Sequence, residues 1–365
     1  FRNKIYFIKD SVPRILSLFF LVLLLSFIGN DIYVEYYVHY VRNFIFISSI
    51  VVYLYYMLDS KEKLEELFSL IVAITVILSC FMVLEVLQNE WVSGIRKSLN
   101  FGNANYLAYA LFPGFVLTVF SKKSYIMWFF APLVIFAIFA TGSRAVELSS
   151  MFVIFLYVYQ RLNKKIYLIP VVIGVIAILV LFFNQIMTNQ NYNNSRYLIA
   201  KITYNIAKEH PINGIGYGQF RTVFNFYVDQ NILNMNNNDI NQALRTYTSM
   251  YGWSASVGQN SAQISPYAYT ASDKATQEKM THNDLLTVVA ELGLLGIACV
   301  VFLFYKLYIE LQKLLLHNRE HFFLSISLIG GSLIFSLFHN NLTSFVFWFV
   351  IFIPFIMNRN YEKTA

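Results

Sequence analysis

Charged side chains are scarce in this chain. Asp, Glu, Lys and Arg make up 13% of its 365 residues, whereas a soluble domain carries about 25%. The deficit excludes an ordinary soluble domain and indicates a surface that faces lipid. The remaining composition agrees, because 57% of the residues are hydrophobic and the mean hydropathy is +0.54. Phe and Tyr are frequent, as expected where rings pack in hydrocarbon and phenols lie at headgroup level.

Cysteine and metal-ligating patterns are also rare. Cys80 and Cys299 lie in separate apolar runs, so we expect two free thiols and no disulfide framework. No Cys and His spacing resembles a metal site, and no carboxylate pair is placed to hold Mg²⁺. Glu85, Glu147 and Glu291 could each orient an Arg or a His, but we favour buried structural pairing for them. We therefore predict no metal and no cofactor.

The apolar residues are grouped in runs long enough to cross a bilayer. We predict ten transmembrane helices over residues 14–30, 39–58, 64–87, 104–120, 125–141, 145–160, 166–187, 283–305, 321–338 and 341–357. The first is expected to be retained and not cleaved as a signal peptide. The predicted fold class is an all-α polytopic membrane protein. It has N-terminal helices over 1–187, a large external loop over 188–281 and C-terminal helices over 282–365.

The basic residues predict the orientation of these helices. The net charge is +7, and Lys and Arg lie near 61–63, 122–123, 161–165 and 313–319 and at both ends of the chain. The positive-inside rule places these segments in the cytoplasm, so the long loop is external. Because topology explains the charge, we expect no nucleic-acid partner.

The long loop contains a helical pattern followed by a glycine-rich segment. Isoleucines and a leucine recur at helical spacing over 196–210, which predicts an amphipathic helix that ends at Pro211. Gly214, Gly216 and Gly218 predict a tight turn. A phosphate-binding loop is disfavoured, because no apolar strand precedes the glycines and no clear helix follows them. A second short helix is expected over 220–233.

Four basic side chains are candidates for chemistry on the external face: Arg144, Arg196, Arg221 and His282. Each alone also fits a solvated or interfacial side chain. Together they suit transfer from a lipid diphosphate, because guanidinium groups bind phosphate oxygens in bidentate fashion. A neutral imidazole can accept a proton from a hydroxyl near neutral pH.

Several short motifs follow one another between residues 101 and 296. They are FGNANYLA at 101–108, TGSRA at 141–145, Arg196, P-x-x-G-x-G-x-G-x-F at 211–220, HNDLL at 282–286 and ELGLLG at 291–296. Each motif alone is weakly specific. In this order, and on this predicted topology, they resemble the bacterial O-antigen ligase and O-antigen polymerase superfamily.

The resemblance implies a GT-C-like membrane enzyme that transfers glycan from undecaprenyl diphosphate without a metal. It implies that Arg144, Arg196 or both bind the diphosphate, that Arg221 is a further contact, and that His282 activates the acceptor hydroxyl. The partners implied are the lipid-linked glycan donor, a glycan or lipid-linked acceptor, the lipid bilayer and a chain-length regulator protein. The implied location is the bacterial cytoplasmic membrane, with the active site facing the periplasm or the cell exterior.

Three functions remain open. We favour a polymerase of lipid-linked repeat units, because the loop is polar and aromatic but poor in acidic residues. A ligase that delivers finished glycan to lipid A–core or another acceptor carries the same motifs. A flippase for a lipid-linked glycan shares the hydropathy, but it predicts polar residues at mid-membrane and internal repeats. The sequence has few of the former and none of the latter.

Overall fold

A computed structural model describes residues 10–30, 34–88, 97–99, 103–161, 190–220 and 283–364, without the side chains of 34–36, 124, 190–198 and 364. In these residues the chain forms α-helices and no strand, which confirms the all-α class. The helices are α1 Ser11–Leu25, α2 Val34–Met57, α3 Lys61–Gln88, α4 Ala104–Val119, α5 Ser124–Ala140, α6 Arg144–Arg161, α7 Gln190–Glu209, α8 Asp284–His317, α9 Arg319–Ser336 and α10 Phe345–Thr364.

Nine of the ten predicted spans coincide with described helices, and the tenth, 166–187, lies outside the described residues. Three helical segments are long and apolar enough to cross a membrane by length and composition: Tyr37–Met57, Lys61–Gln88 and Asp284–His317. Helix α8 continues well past its predicted end at residue 305. The number of spans and their orientation stay predictions.

The chain divides into two compact units. The first unit comprises residues 1–16, 46–175 and 302–365, and its core is a bundle of α3, α4, α5, α6, α9 and α10. Helices α6 and α9 run antiparallel, and Ser149 Oγ donates a hydrogen bond to the Gly331 carbonyl at 2.7 Å. Small residues at this contact let the two helix backbones approach closely, as is common between membrane helices.

Gly331 allows a test of that close packing. A Cβ added at Gly331 would collide with the ring of Phe112, which is fully buried. At the neighbouring Gly330, an added Cβ would meet Phe152, which is only partly buried and can yield. We expect Gly331→Ala to lower the free energy of unfolding by about 1–3 kcal/mol, and Gly330→Ala to lower it less. Thermal unfolding of the purified protein measures the difference, and equal midpoints would contradict this packing.

The second unit comprises residues 17–45 and 176–301. Its helix α7 confirms the amphipathic prediction, although it begins at Gln190 and not near residue 196. Ile199, Ile202 and Ile206 are buried, whereas Lys208 and Glu209 are exposed. The predicted short helix over 220–233 lies beyond the described residues.

Candidate functional site

The glycine-rich segment forms the predicted tight turn. Helix α7 ends at Glu209, and Pro211 follows it. Gly214, Gly216 and Gly218 have φ values of 66°, 99° and 79°, a region that residues with a Cβ rarely adopt. Three such residues in alternation reverse the chain within a few positions, which explains why the motif uses glycine there.

Helix α8 is interrupted where this turn contacts it. Gly293 has φ 57° and ψ −149° within α8, so the regular helical hydrogen bonds are broken at that point. The turn replaces them. Hydrogen bonds run from Leu294 N to Pro211 O at 2.9 Å, from Leu295 N to Ile212 O at 3.0 Å, from Ile215 N to Ala290 O at 3.0 Å and from Gly216 N to Glu291 O at 3.1 Å. Buried backbone groups need such partners, so the break and the turn depend on each other.

The contact leaves no space for side chains at its centre. A Cβ on Gly214 would collide with the backbone of Glu291, and a Cβ on Gly293 would lie 2.6 Å from Gly214 N. Two motifs of the resemblance, at 211–220 and 291–296, are therefore one hydrogen-bonded element.

The carboxylate of Glu291 holds the end of the turn. Its Oε2 accepts a hydrogen bond from Gly218 N at 2.9 Å, and its Oε1 accepts one from Phe220 N at 3.1 Å. The Glu291 side chain is buried, with 5% of its residue surface exposed. These bonds bear out the favoured structural role, although the described partners are backbone amides and not another side chain.

Every amide from residue 214 to 220 donates to an acceptor within the protein. Besides the four amides bonded to α8, Gly214 N donates to His210 O at 3.2 Å, Tyr217 N to Ser26 Oγ at 3.2 Å and Gln219 N to Gly216 O at 3.1 Å. A phosphate-binding loop needs amides that point at the ligand. This segment therefore acts as a structural turn, and the phosphate-loop alternative is wrong.

The turn is also attached to the residues that follow α1. Asn30 Nδ2 donates to Gly214 O at 2.8 Å, and Asn213 Nδ2 donates to Ile28 O at 2.6 Å. The ring of Tyr217 packs edge-to-face on Tyr40, with centroids 5.6 Å apart. Burial raises the pKa of Tyr217 well above its usual value, so its phenol stays neutral. The turn is thus a fixed part of the second unit.

The four candidate residues are described to different extents. Arg196 lies in α7, but its side chain is outside the described part of the chain. Arg221 and His282 also lie outside the described residues. Arg221 directly follows the described Phe220, and His282 directly precedes the described Asn283. Asn283 caps α8, because its Oδ1 accepts hydrogen bonds from Leu285 N at 2.9 Å and from Leu286 N at 3.2 Å. The convergence of the four side chains stays a prediction.

Arg144 belongs to the first unit, where the TGSRA motif forms the turn between α5 and α6. Thr141 Oγ1 donates to Ile138 O at 2.6 Å and accepts from Ser143 N at 3.2 Å, and Gly142 has φ 60°. This turn places Arg144, which is exposed, as the first residue of α6. The motif therefore presents a guanidinium at a helix N-terminus.

Lys97 is a basic residue near this turn that sequence reasoning missed. Its amide donates to Ala140 O at 3.3 Å, at the end of α5, and only 8% of its surface is exposed. A buried lysine normally has an anionic or polar partner. Nothing in the local sequence signals this burial, because it depends on a contact with a distant helix.

The three helical segments that are long and apolar enough to cross a membrane indicate a helical membrane protein. Residues 125–301 match a family model described as O-Antigen ligase, which confirms the resemblance to the O-antigen ligase and O-antigen polymerase superfamily. The match spans TGSRA, α7, the glycine turn and α8 as far as Val301, and it implies glycan transfer by a membrane enzyme in general terms. No curated protein matches the chain.

Proposed function

We propose that this protein polymerises undecaprenyl diphosphate-linked polysaccharide repeat units at the outer face of the cytoplasmic membrane. The family match over 125–301 supports glycan transfer, and within it two separate motifs form one hydrogen-bonded element. The choice of a polymerase rests on the loop over 188–281, which is polar and aromatic but poor in acidic residues. The bilayer and the lipid-linked glycan are its partners, and a chain-length regulator protein is a further one.

The proposed chemistry is an inverting displacement that uses side chains alone. His282 accepts the proton of the acceptor hydroxyl, whose oxygen attacks the sugar carbon bonded to diphosphate. The bond between that carbon and the diphosphate oxygen breaks, and the diphosphate leaves with the bonding electron pair. Arg144, Arg196 and Arg221 stabilise its developing charge.

The glycine turn supports this chemistry by restricting the chain near two of these residues. Glu291 holds Phe220, which directly precedes Arg221, and Glu291 lies in the helix that begins just after His282. Loss of orientation by about 1 Å can cost a hundredfold in rate. A rigid connection through Glu291 is therefore expected to align Arg221 with His282.

Transfer by the purified protein is the primary test. The protein in vesicles is supplied with a synthetic diphospholipid-linked repeat unit, and products are separated by length. Elongated lipid-linked glycan supports a transferase, whereas movement of donor across the bilayer without product supports the flippase alternative. Absence of both would contradict the proposal.

A ligase is the second candidate, because the matching family model is described as O-Antigen ligase. Deletion of the gene separates the two enzymes. Surface glycan limited to one repeat unit indicates a polymerase, whereas accumulation of long lipid-linked polymer indicates a ligase.

Arg196→Ala is expected to reduce transfer by about ten- to a hundredfold, because it removes charge-assisted hydrogen bonds to the leaving diphosphate. The loss should appear mainly as a higher KM for donor if the contact forms in the ground state. Lys208→Ala, an exposed basic residue on the same helix, is the matched control and should transfer normally. Equal activity of the two variants would remove Arg196 from the diphosphate site.

A further inference from the structure

The ends of three helices coincide at one end of the first unit. Helices α6 and α9 are antiparallel, since Ser149 contacts Gly331 and the rings of Tyr159 and Phe323 lie 6.0 Å apart. Helices α4 and α9 are also antiparallel. Their contacts pair Tyr109 with Phe335, 4.4 Å apart, and Phe112 with Gly331. The N-terminal ends of α4 and α6 therefore lie beside the C-terminal end of α9.

This register brings His339 to the level of Arg144. Arg144 precedes Ser149 by five residues, a rise of about 7.5 Å. The same rise beyond Gly331 reaches Ser336, the last residue of α9. The backbone keeps helical hydrogen bonding a little further, because His339 N donates to Phe335 O at 3.0 Å. Arg144 and His339 thus stand within about one turn of the same level, on neighbouring helices.

The imidazole of His339 is held by stacking. Its ring stacks on the ring of Phe335, with centroids 4.5 Å apart, and the ring of Phe335 also stacks on that of Tyr109. Phe335 and Tyr109 are buried, whereas His339 is partly exposed. A side chain fixed in this way loses little conformational freedom when it binds a ligand.

A second feature at this end is a buried hydroxyl. Ser143, the residue before α6, is fully buried, and its Oγ has no hydrogen-bond partner among the described residues. Buried hydroxyls are normally hydrogen-bonded. The positive end of the α6 dipole and the Arg144 guanidinium favour an anion there. Lys97 is a further basic residue near the same turn, since its amide donates to Ala140 O at 3.3 Å.

We propose that His339 is a second phosphate-binding residue beside Arg144. A ring N–H of His339 donates to an oxygen of the diphosphate in the lipid-linked donor, and Arg144 binds the same group. This role rests on the proposed function, and it adds an imidazole distinct from His282. His339 contributes to donor binding, whereas His282 accepts the acceptor proton.

His339→Phe is the informative variant, because it keeps a ring that stacks on Phe335 and removes both ring nitrogens. We expect KM for a synthetic diphospholipid donor to rise by about ten- to a hundredfold, with kcat and the thermal midpoint nearly unchanged. His339→Gln restores a donor and should recover part of the loss. In the Arg144→Ala background, His339→Phe should cost less than in the wild type, because the two residues share one ligand.

His317→Phe is the matched control. His317 stacks on Tyr361 with centroids 5.6 Å apart and lies at the end of α8, outside the proposed site. The His317→Phe variant should transfer at the wild-type rate.

A normal KM in His339→Phe, with active wild-type enzyme, would show that His339 is only a stacking residue and would leave the proposed function intact. Inactive wild-type enzyme would contradict the proposed function itself.

Varying the lipid composition of the vesicles shows whether His339 binds the donor diphosphate or an anionic lipid headgroup, because both ligands present phosphate oxygens. The KM defect of His339→Phe should be the same in vesicles of phosphatidylcholine alone and in vesicles with phosphatidylglycerol. A defect that appears only with phosphatidylglycerol would indicate a headgroup site and overturn the donor role.

Discussion

His282→Ala is expected to lower glycan transfer by about 10²- to 10⁴-fold, the contribution typical of a positioned general base. The acceptor hydroxyl would then have to lose its proton to water as it attacks. Because the defect lies in the chemical step, kcat should fall while KM for donor stays close to the wild-type value. Initial rates of the purified protein at varied concentrations of a synthetic donor give both kcat and KM.

His210→Ala is the control for this prediction. His210 follows α7 in the same unit, and its described hydrogen bonds are both made by its backbone: its N–H donates to Ile206 O at 2.8 Å, and its carbonyl accepts from Gly214 N at 3.2 Å. The substitution retains both. It should transfer normally at wild-type membrane abundance. If His282→Ala retained full activity, His282 would not be the base, and the proton acceptor would have to be sought elsewhere.

The two histidine variants distinguish chemistry from binding. His282→Ala should lower kcat, and His339→Phe should raise KM for donor. If both variants changed the same parameter, the division of roles between the two imidazoles would be wrong, although transfer itself would still be established by the wild-type protein.

Much of the fold could be predicted because its signals are local. Apolar runs of membrane length predicted nine of the described helices. The isoleucine spacing before Pro211 predicted α7, and the alternating glycines predicted the turn, since each of these features depends on neighbouring residues alone.

The break at Gly293 could not be predicted, because it depends on a distant partner. A glycine inside an apolar helix is usually tolerated without a break, and ELGLLG has no proline to indicate otherwise. Only the approach of Pro211 and Ile212 supplies acceptors for the amides of Leu294 and Leu295. The partners of Glu291 were hidden for the same reason, although its structural role was predicted. Its partners are backbone amides some seventy residues earlier, and a backbone amide carries no sequence signal.

Glu291→Ala is expected to detach the glycine turn from α8 and to reduce transfer with it. The amides of Gly218 and Phe220 would lose their acceptor in a buried position, at a cost of about 1–3 kcal/mol each. Hydrogen exchange of a peptide that covers residues 214–220 measures this opening. Since about 1.4 kcal/mol corresponds to a tenfold change, exchange should accelerate by about thirtyfold or more. Glu291→Gln keeps one acceptor oxygen and should fall between Ala and the wild type.

Glu310→Ala controls for the removal of a buried carboxylate from the same helix. Glu310 is 9% exposed and accepts a hydrogen bond from Asn358 Nδ2 at 2.7 Å, within the first unit. Its loss should weaken that unit without accelerating exchange at residues 214–220.

If Glu291→Ala transferred glycan normally while the turn exchanged rapidly, a fixed turn would be unnecessary for catalysis. Alignment of Arg221 with His282 would then have to come from other contacts of the loop. Unchanged exchange would instead show that the four backbone hydrogen bonds to α8 hold the turn without the carboxylate.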